Sequence, residues 1–164
     1  MNPKESSKEP SNRHERENGW SEVIRGERYI IRTSSAETNG VYSMLEVLAD
    51  PRNGVPVHVH DNADEHFIIL EGRAFIANGD STVEVAAGSF ITITRGVPHA
   101  WLQSFQKAPV RMLVIFSPGH STELFRKHAT TEPAEMTALA NKYGTRITGP
   151  ALFENLYTML SPRP

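Results

Sequence analysis

The 164-residue chain contains no cysteine. This absence excludes disulfide bonds, thiolate nucleophiles and cysteine-ligated zinc sites from every interpretation of the sequence. Any metal site in this chain must therefore be built from histidine and carboxylate side chains.

The chain also lacks a long apolar segment and an excess of charge of one sign. No apolar run approaches the roughly 20 residues that a membrane-spanning helix requires. Seventeen Lys and Arg stand against 19 Asp and Glu, so the net charge is −2. We therefore expect neither a membrane protein nor a nucleic-acid-binding protein. The polar N-terminus has no apolar core of the kind found in signal peptides, which predicts a cytoplasmic location.

Composition divides the chain into three predicted parts. Residues 1–19 carry almost nothing apolar, and such a segment cannot bury enough surface to offset its ordering entropy. We predict a disordered arm at 1–19, one β-rich domain at 20–120 and a helical extension at 121–164. Within the extension, capping residues and helical spacing predict short helices at 121–129, 131–144 and 151–160.

Short β-rich runs alternate with turn signals between residues 28 and 116. The sequence Asn-Gly-Asp at 78–80 predicts a hairpin, because Asn-Gly accepts the positive φ of a tight turn. Many short strands at this spacing favour a sandwich or barrel over alternating strands and helices. The predicted strands are 28–33, 41–49, 57–60, 65–72, 73–78, 81–87, 89–94, 99–105 and 110–116.

His58 and His60 alternate with valines in one predicted strand. Alternate residues of a strand share a face, so the two imidazoles point the same way. If residues 61–64 form a turn, Glu65 lies opposite the pair, which predicts a metal-ligating hairpin. Two histidines and a carboxylate with open positions are the ligands of many non-haem iron sites, and zinc, manganese, nickel and cobalt also fit. A further histidine, His99, opens a later strand that a β-barrel would bring beside the pair.

These residues give the chain its resemblance to a single-domain cupin. The first cupin motif, with His-x-His, a glutamate and a glycine, is matched by His58, His60, Glu65 and Gly72. The second motif, with two glycines and a histidine, is matched by Gly88, Gly96 and His99. The chain departs from the motifs at Thr94 in place of proline, at Gln103 in place of asparagine, and in the spacing of Gly54 from His58.

The resemblance implies a fold and a ligand set. The fold is the all-β double-stranded β-helix, a jelly-roll barrel, here with short C-terminal α-helices and a disordered N-terminal arm. The implied metal ligands are His58, His60, Glu65 and His99.

Residues 28–152 are similar to the small cupins labelled quercetin 2,3-dioxygenase-like, which implies an enzyme. The implied activity is that of a dioxygenase that uses Fe²⁺, or else Mn²⁺, Ni²⁺, Co²⁺ or Zn²⁺. Its substrate is a flavonol-like or other small hydroxylated or enolisable molecule together with O₂, and Glu65 is the catalytic base. Family members commonly pair through strand edges, so we expect a homodimer. The alternatives are a non-catalytic cupin that binds a metal or a small molecule, and a metal-dependent isomerase or lyase.

Other polar and aromatic residues receive specific expectations. Asp64 would replace Glu65 as a ligand if the turn were one residue tighter, and His66 is expected to face away from the metal. Arg95 and Gln103 are expected at the surface. The residues expected to line a substrate pocket are Phe67, Trp101 and Met112, and those expected to be solvated are His14, His120 and His128.

Overall fold

The computed structural model describes residues 19–24, 26–119, 122–126 and 133–151. The predictions for most of the N-terminal arm, for the helix at 151–160 and for His14, His120 and His128 fall outside these described residues, apart from positions 19 and 151.

Eleven strands of the described chain form two antiparallel sheets. The first sheet has six strands in the order β1-β2-β3-β10-β5-β8, and the second has five in the order β11-β4-β9-β6-β7. The strands of the first sheet are β1 (Ser21–Ile24), β2 (Glu27–Thr33), β3 (Ser43–Ala49), β5 (Asp64–Glu71), β8 (Phe90–Ile93) and β10 (Val110–Ser117). Those of the second are β4 (Pro56–His60), β6 (Arg73–Asn78), β7 (Ser81–Ala86), β9 (His99–Gln103) and β11 (Thr145–Ala151).

The hydrophobic core lies between the two sheets. Along β5 and β10 every second residue is buried, because successive side chains of a strand point to opposite faces. The alternation in the sequence therefore identified the inward faces, and the prediction of an all-β sandwich or barrel is confirmed. Prominent buried members of the core are Leu45, Val47, Phe67, Ile69, Ile76, Trp101, Met112, Val114 and Phe116.

The two predicted hairpins have different outcomes. Asn78 pairs with Ser81 across Gly79, whose φ is +58°, so the hairpin of β6 and β7 is confirmed. The hairpin predicted around Asp61–Asp64 is wrong, because β4 pairs with β9 and β11 whereas β5 pairs with β10 and β8. Residues 61–63 instead carry the chain from one sheet to the other.

The helices in the described part are short. α1 spans Glu123–Arg126 and α2 spans Pro133–Lys142, which ends before Gly144 with its φ of +74°. Neither is long and apolar enough to cross a membrane. The sequence predicted neither β1 nor β11, and β11 places a strand of the second sheet within the segment that was expected to be helical.

Candidate metal centre

Three histidines of the second sheet converge on one point of the interior. His58 and His60 lie two positions apart on β4, and His58 is the cross-strand partner of His99 on β9. Strand alternation and register therefore place the three rings together, with the His58 and His99 ring centroids 4.2 Å apart. All three side chains are buried.

The carboxylate comes from the opposite sheet. Glu65 is the second residue of β5, and its Oε2 atom lies 2.5 Å from Nε2 of His99, 3.2 Å from that of His60 and 3.9 Å from that of His58. Glu65 is itself only 5% exposed. One ligand atom from each of the four residues lies within 4.8 Å of the other three. We call His58, His60, Glu65 and His99 the metal cluster.

The other ring nitrogen of each histidine is held by a separate partner. Nδ1 of His58 lies 2.8 Å from the carbonyl oxygen of Pro56, and Nδ1 of His99 lies 2.8 Å from that of Val97. A carbonyl oxygen only accepts hydrogen bonds, so each of these Nδ1 atoms carries a proton. The Nε2 atoms are then the ones that face Glu65, which is how metal-ligating histidines are usually oriented.

His60 has the same arrangement with a different partner. Its Nδ1 lies 2.9 Å from the Thr145 hydroxyl of β11, and its Nε2 is buried without a hydrogen-bond partner among the described residues. The Thr145 hydroxyl therefore holds Nδ1 of the ring, while Nε2, which faces the other members of the metal cluster, has no hydrogen bond to any described residue.

Electrostatics give two members of the metal cluster the protonation state that ligation requires. Burial lowers the pKa of His58 to about 3, and the charge on His99 contributes to this fall, so the imidazole is neutral. Burial opposes the charge on Glu65, but the approach of His60 and the hydrogen bond from His99 outweigh it and lower the Glu65 pKa well below its usual range. A neutral imidazole and an ionised carboxylate are the forms that bind metals.

His99 is the cluster histidine that lies closest to the Glu65 carboxylate. Burial opposes its charge, yet the hydrogen bond and charge of Glu65 raise the pKa of His99. Nε2 of His99 and Oε2 of Glu65 lie 2.5 Å apart, the separation of a short hydrogen bond in which His99 donates. The buried donor atoms of the metal cluster therefore fit a divalent ion, which could be held by three imidazoles and one carboxylate.

The nearby ionisable residues lie outside the metal cluster. Asp64 accepts hydrogen bonds from the backbone N–H and guanidinium of the exposed Arg95, so it does not replace Glu65. His66 faces away, as expected, with Nδ1 2.9 Å from the Thr92 hydroxyl. Asp61 forms an ion pair with Arg146 of β11.

The other residues that were assigned a role near the site lie in the interior. Phe67, Trp101 and Met112 are buried in the core between the sheets, and their role in lining a substrate pocket stays a prediction. The surface position expected for Gln103 is wrong. Its buried amide donates to the carbonyl oxygen of Ala108 and accepts from the backbone N–H of Arg52, so it ties two loops together.

Sequence reasoning missed the partner that holds His60. Thr145 lies 85 residues from His60 and outside any predicted strand. Three of the four residues in the segment Thr145–Thr148 are β-branched, which is typical of a strand and was the available signal.

Comparison with known proteins places this geometry in context. Residues 45–116 match the family model described as cupin domain, a range that contains all four members of the metal cluster. An uncharacterized protein of Streptomyces coelicolor is 38% identical over 58 residues, which are 35% of this chain and 53% of that protein. The chain thus matches about half the length of this curated relative.

Solved structures resemble somewhat less than two thirds of this chain. KdgF from Halomonas sp. has a TM-score of 0.57 at 14% identity, with 63% of this chain and 89% of that chain covered. An RmlC-like cupin from Shewanella frigidimarina has a TM-score of 0.55 at 14% identity, with 63% and 86% covered. A predicted oxalate decarboxylase from Thermotoga maritima has a TM-score of 0.54 at 16% identity, with 60% and 90% covered. The described chain therefore has the cupin fold, and residues 45–116 are similar to a cupin domain.

Proposed function

We propose that the metal cluster binds one divalent ion, Fe²⁺, and that the loaded protein is a dioxygenase acting on a small hydroxylated or enolisable molecule. The observation that carries the proposal is the convergence of four buried ligand atoms, three from imidazoles and one from a carboxylate. Mn²⁺, Ni²⁺, Co²⁺ and Zn²⁺ accept the same ligands.

The residues of the chain have separate roles in such a reaction. Bound Fe²⁺ would supply redox chemistry with O₂ and would acidify a substrate hydroxyl. Glu65, ionised and within 4 Å of all three imidazoles, accepts the proton of that hydroxyl as general base. Both atoms of O₂ enter the product, so the reaction needs no external reductant.

A second candidate is a metal-dependent isomerase or lyase, which needs no O₂. The observation that motivates it is a second carboxyl in the interior, Glu27, which is fully buried and accepts a hydrogen bond from Tyr29. The names of the structural neighbours differ in activity, and a shared fold does not select among them.

Metal content tests the first half of the proposal. We expect protein purified without chelator to carry a divalent metal by elemental analysis, and His60→Ala to lose it. His66→Ala is the matched control, since this histidine lies six residues away and faces the other side of β5. Equal metal content in wild type and His60→Ala would sink the metal site.

Oxygen uptake tests the second half. Anaerobically Fe²⁺-loaded protein is mixed with flavonols, diketones and catechols, and O₂ consumption is followed with an electrode. We expect one O₂ consumed per product formed. Conversion without O₂ uptake would favour the isomerase or lyase, and the absence of uptake with every compound would exclude a dioxygenase for these substrates.

A further inference from the structure

A second ionisable pair is buried in the interior, outside the metal cluster. Glu27 and Tyr29 lie two positions apart on β2 and so share its inward face. Their exposed fractions are 0% and 5%. The Tyr29 hydroxyl donates a hydrogen bond of 2.8 Å to Oε2 of Glu27.

The Glu27 carboxyl is incompletely satisfied. Its Oε1 atom is buried and has no hydrogen-bond partner among the described residues. Burial raises the pKa of Glu27 to about 7, against the opposing effects of the hydrogen bond from Tyr29 and of the nearby backbone N–H of Gly54. A buried polar atom without a partner costs free energy, and native proteins tolerate few of them, commonly at functional positions.

Strand register relates this pair to the metal cluster. Tyr29 pairs with Val47, which pairs with Met112 on β10. Glu65 pairs with Phe116 on the same strand, two inward-facing positions further along. Burial and the neighbouring Glu27 raise the pKa of Tyr29, and the charge of Glu65 adds a smaller contribution in the same direction.

Helix α1 covers one side of Tyr29. The Tyr29 ring stacks on Phe125 of α1 with centroids 4.9 Å apart. Tyr29 belongs to the same core as Met112, one of the residues predicted to line a substrate pocket. The side of the Tyr29 ring that faces α1 is therefore closed to a ligand.

We propose that Glu27 and Tyr29 bind an oxygen atom of the small molecule whose other end is held at the metal cluster. The fitting ligand carries a carbonyl or hydroxyl group several ångströms from its metal-binding oxygen. A protonated Glu27 donates to a carbonyl, and an ionised one accepts from a hydroxyl. The inference rests on the proposed function, because that function supplies the ligand.

The first test needs neither metal nor ligand. The double variant Glu27→Leu/Tyr29→Phe removes both partners and leaves apolar groups of similar size, which is neutral or stabilising where the polar pair has no structural purpose. We expect the melting temperature of the metal-free protein to stay the same or rise. A fall of more than about 5 °C would assign the pair a structural role and overturn the proposal.

The second test measures binding. Co²⁺-loaded protein is titrated with a flavonol, a diketone and a catechol while its visible absorption is recorded. We expect Tyr29→Phe and Glu27→Gln to weaken the tightest of these ligands at least about tenfold and to leave the Kd for Co²⁺ unchanged. Glu46→Gln is the matched control, since Glu46 is also buried but its oxygens are bound by Arg32 and Arg111.

The outcomes separate the two proposals. If Co²⁺ does not bind, the proposed function fails and this inference fails with it. If Co²⁺ binds but no compound binds, or if Glu27→Gln leaves ligand affinity unchanged, the metal site stands and the inference is overturned.

Discussion

The orientation of each imidazole ring in the metal cluster depends on the partner that holds its Nδ1 atom. The carbonyl groups behind His58 and His99 belong to residues two positions earlier in the same chain segment, so they come with the local backbone. His60 depends on a side chain from a distant strand, and that makes Thr145 the residue most open to test.

Thr145→Val should weaken metal binding while leaving all four ligands in place. The loss of the hydroxyl that holds Nδ1 of His60 lets the ring turn and lowers its basicity, and changes of this kind cost about 10–100-fold in metal affinity. The measurement is competition with a chromophoric chelator. Thr148→Val, three positions along the same strand and exposed, should leave the affinity unchanged. Equal effects of the two substitutions would contradict the role of Thr145.

Glu27→Gln should change the pH dependence of stability. The pKa of Glu27 rises from 4.5 to about 7 on folding, so the folded state binds more protons between these values. Wild-type stability therefore falls as pH rises from 4.5 to 7, by about 3 kcal/mol relative to the variant, which has no such proton. Urea unfolding of both proteins at pH 5 and pH 8 measures this difference. A pH-independent difference would show that Glu27 has an ordinary pKa.

The sequence predicted the four cluster residues because their signal is local. His58 and His60 share a face by alternation, and the two motifs supplied the spacings of Glu65 and His99. The sequence missed Thr145 because only the tertiary fold brings β11 to β4. The sequence also missed Glu27. A charged residue at the end of a strand suggests an exposed side chain, whereas the Glu27 side chain is buried on the same inward face of β2 as Tyr29.

At the scale of elements, β4 and β9 must approach closely for His58 to meet His99. Gly54, just before β4, makes this possible, since a Cβ there would lie 2.4 Å from the carbonyl oxygen of Trp101 and 2.8 Å from Cα of Leu102. Both contacts are to backbone, so a larger residue must push the strands apart.

Gly54→Ala should therefore cost about 1–3 kcal/mol of stability and also weaken metal binding. Urea unfolding and chelator competition measure the two effects. Gly40→Ala is the control, because Gly40 has a φ of +82° but nothing within 4 Å of an added Cβ. It should lower stability without changing metal affinity. Unchanged metal affinity in Gly54→Ala would mean that the spacing of β4 and β9 does not control the site.

Strand positions were predictable and strand partners were not. Alternation reports which face of a strand is buried, and the predicted runs at 28–33, 73–78 and 110–116 correspond closely to β2, β6 and β10. Which strands pair with each other depends on where the connecting turn directs the chain. Residues 61–63 direct it to the other sheet, which a local pattern does not encode.

For the whole molecule, removal of the metal should lower thermal stability. An ion that binds only the folded state at 100 times its Kd adds about 2.7 kcal/mol, equivalent to roughly 5–10 °C in a protein of this size. Differential scanning fluorimetry before and after EDTA treatment measures the shift. His60→Ala should show no shift, and an equal shift in this variant would place the stabilising metal elsewhere.

Pairing of two copies through a strand edge also remains a prediction. The described sheets end at β1 and β8 and at β11 and β7. The edge strand β8 carries Phe90, which is 62% exposed. Unpaired edges favour strand addition, so light scattering at micromolar concentration should give the mass of a dimer. A monomer mass would remove the expectation.

The crossing of residues 61–63 from one sheet to the other has a mechanical consequence. Three ligands belong to one sheet and Glu65 to the other, so a bound ion would be a reversible cross-link between the two layers of a chain that has no disulfide. The bond between Glu65 and His99 would close a loop of 34 residues, and closing such a loop restricts the unfolded chain. The concentration of available metal ions would then determine how strongly the two sheets are held together.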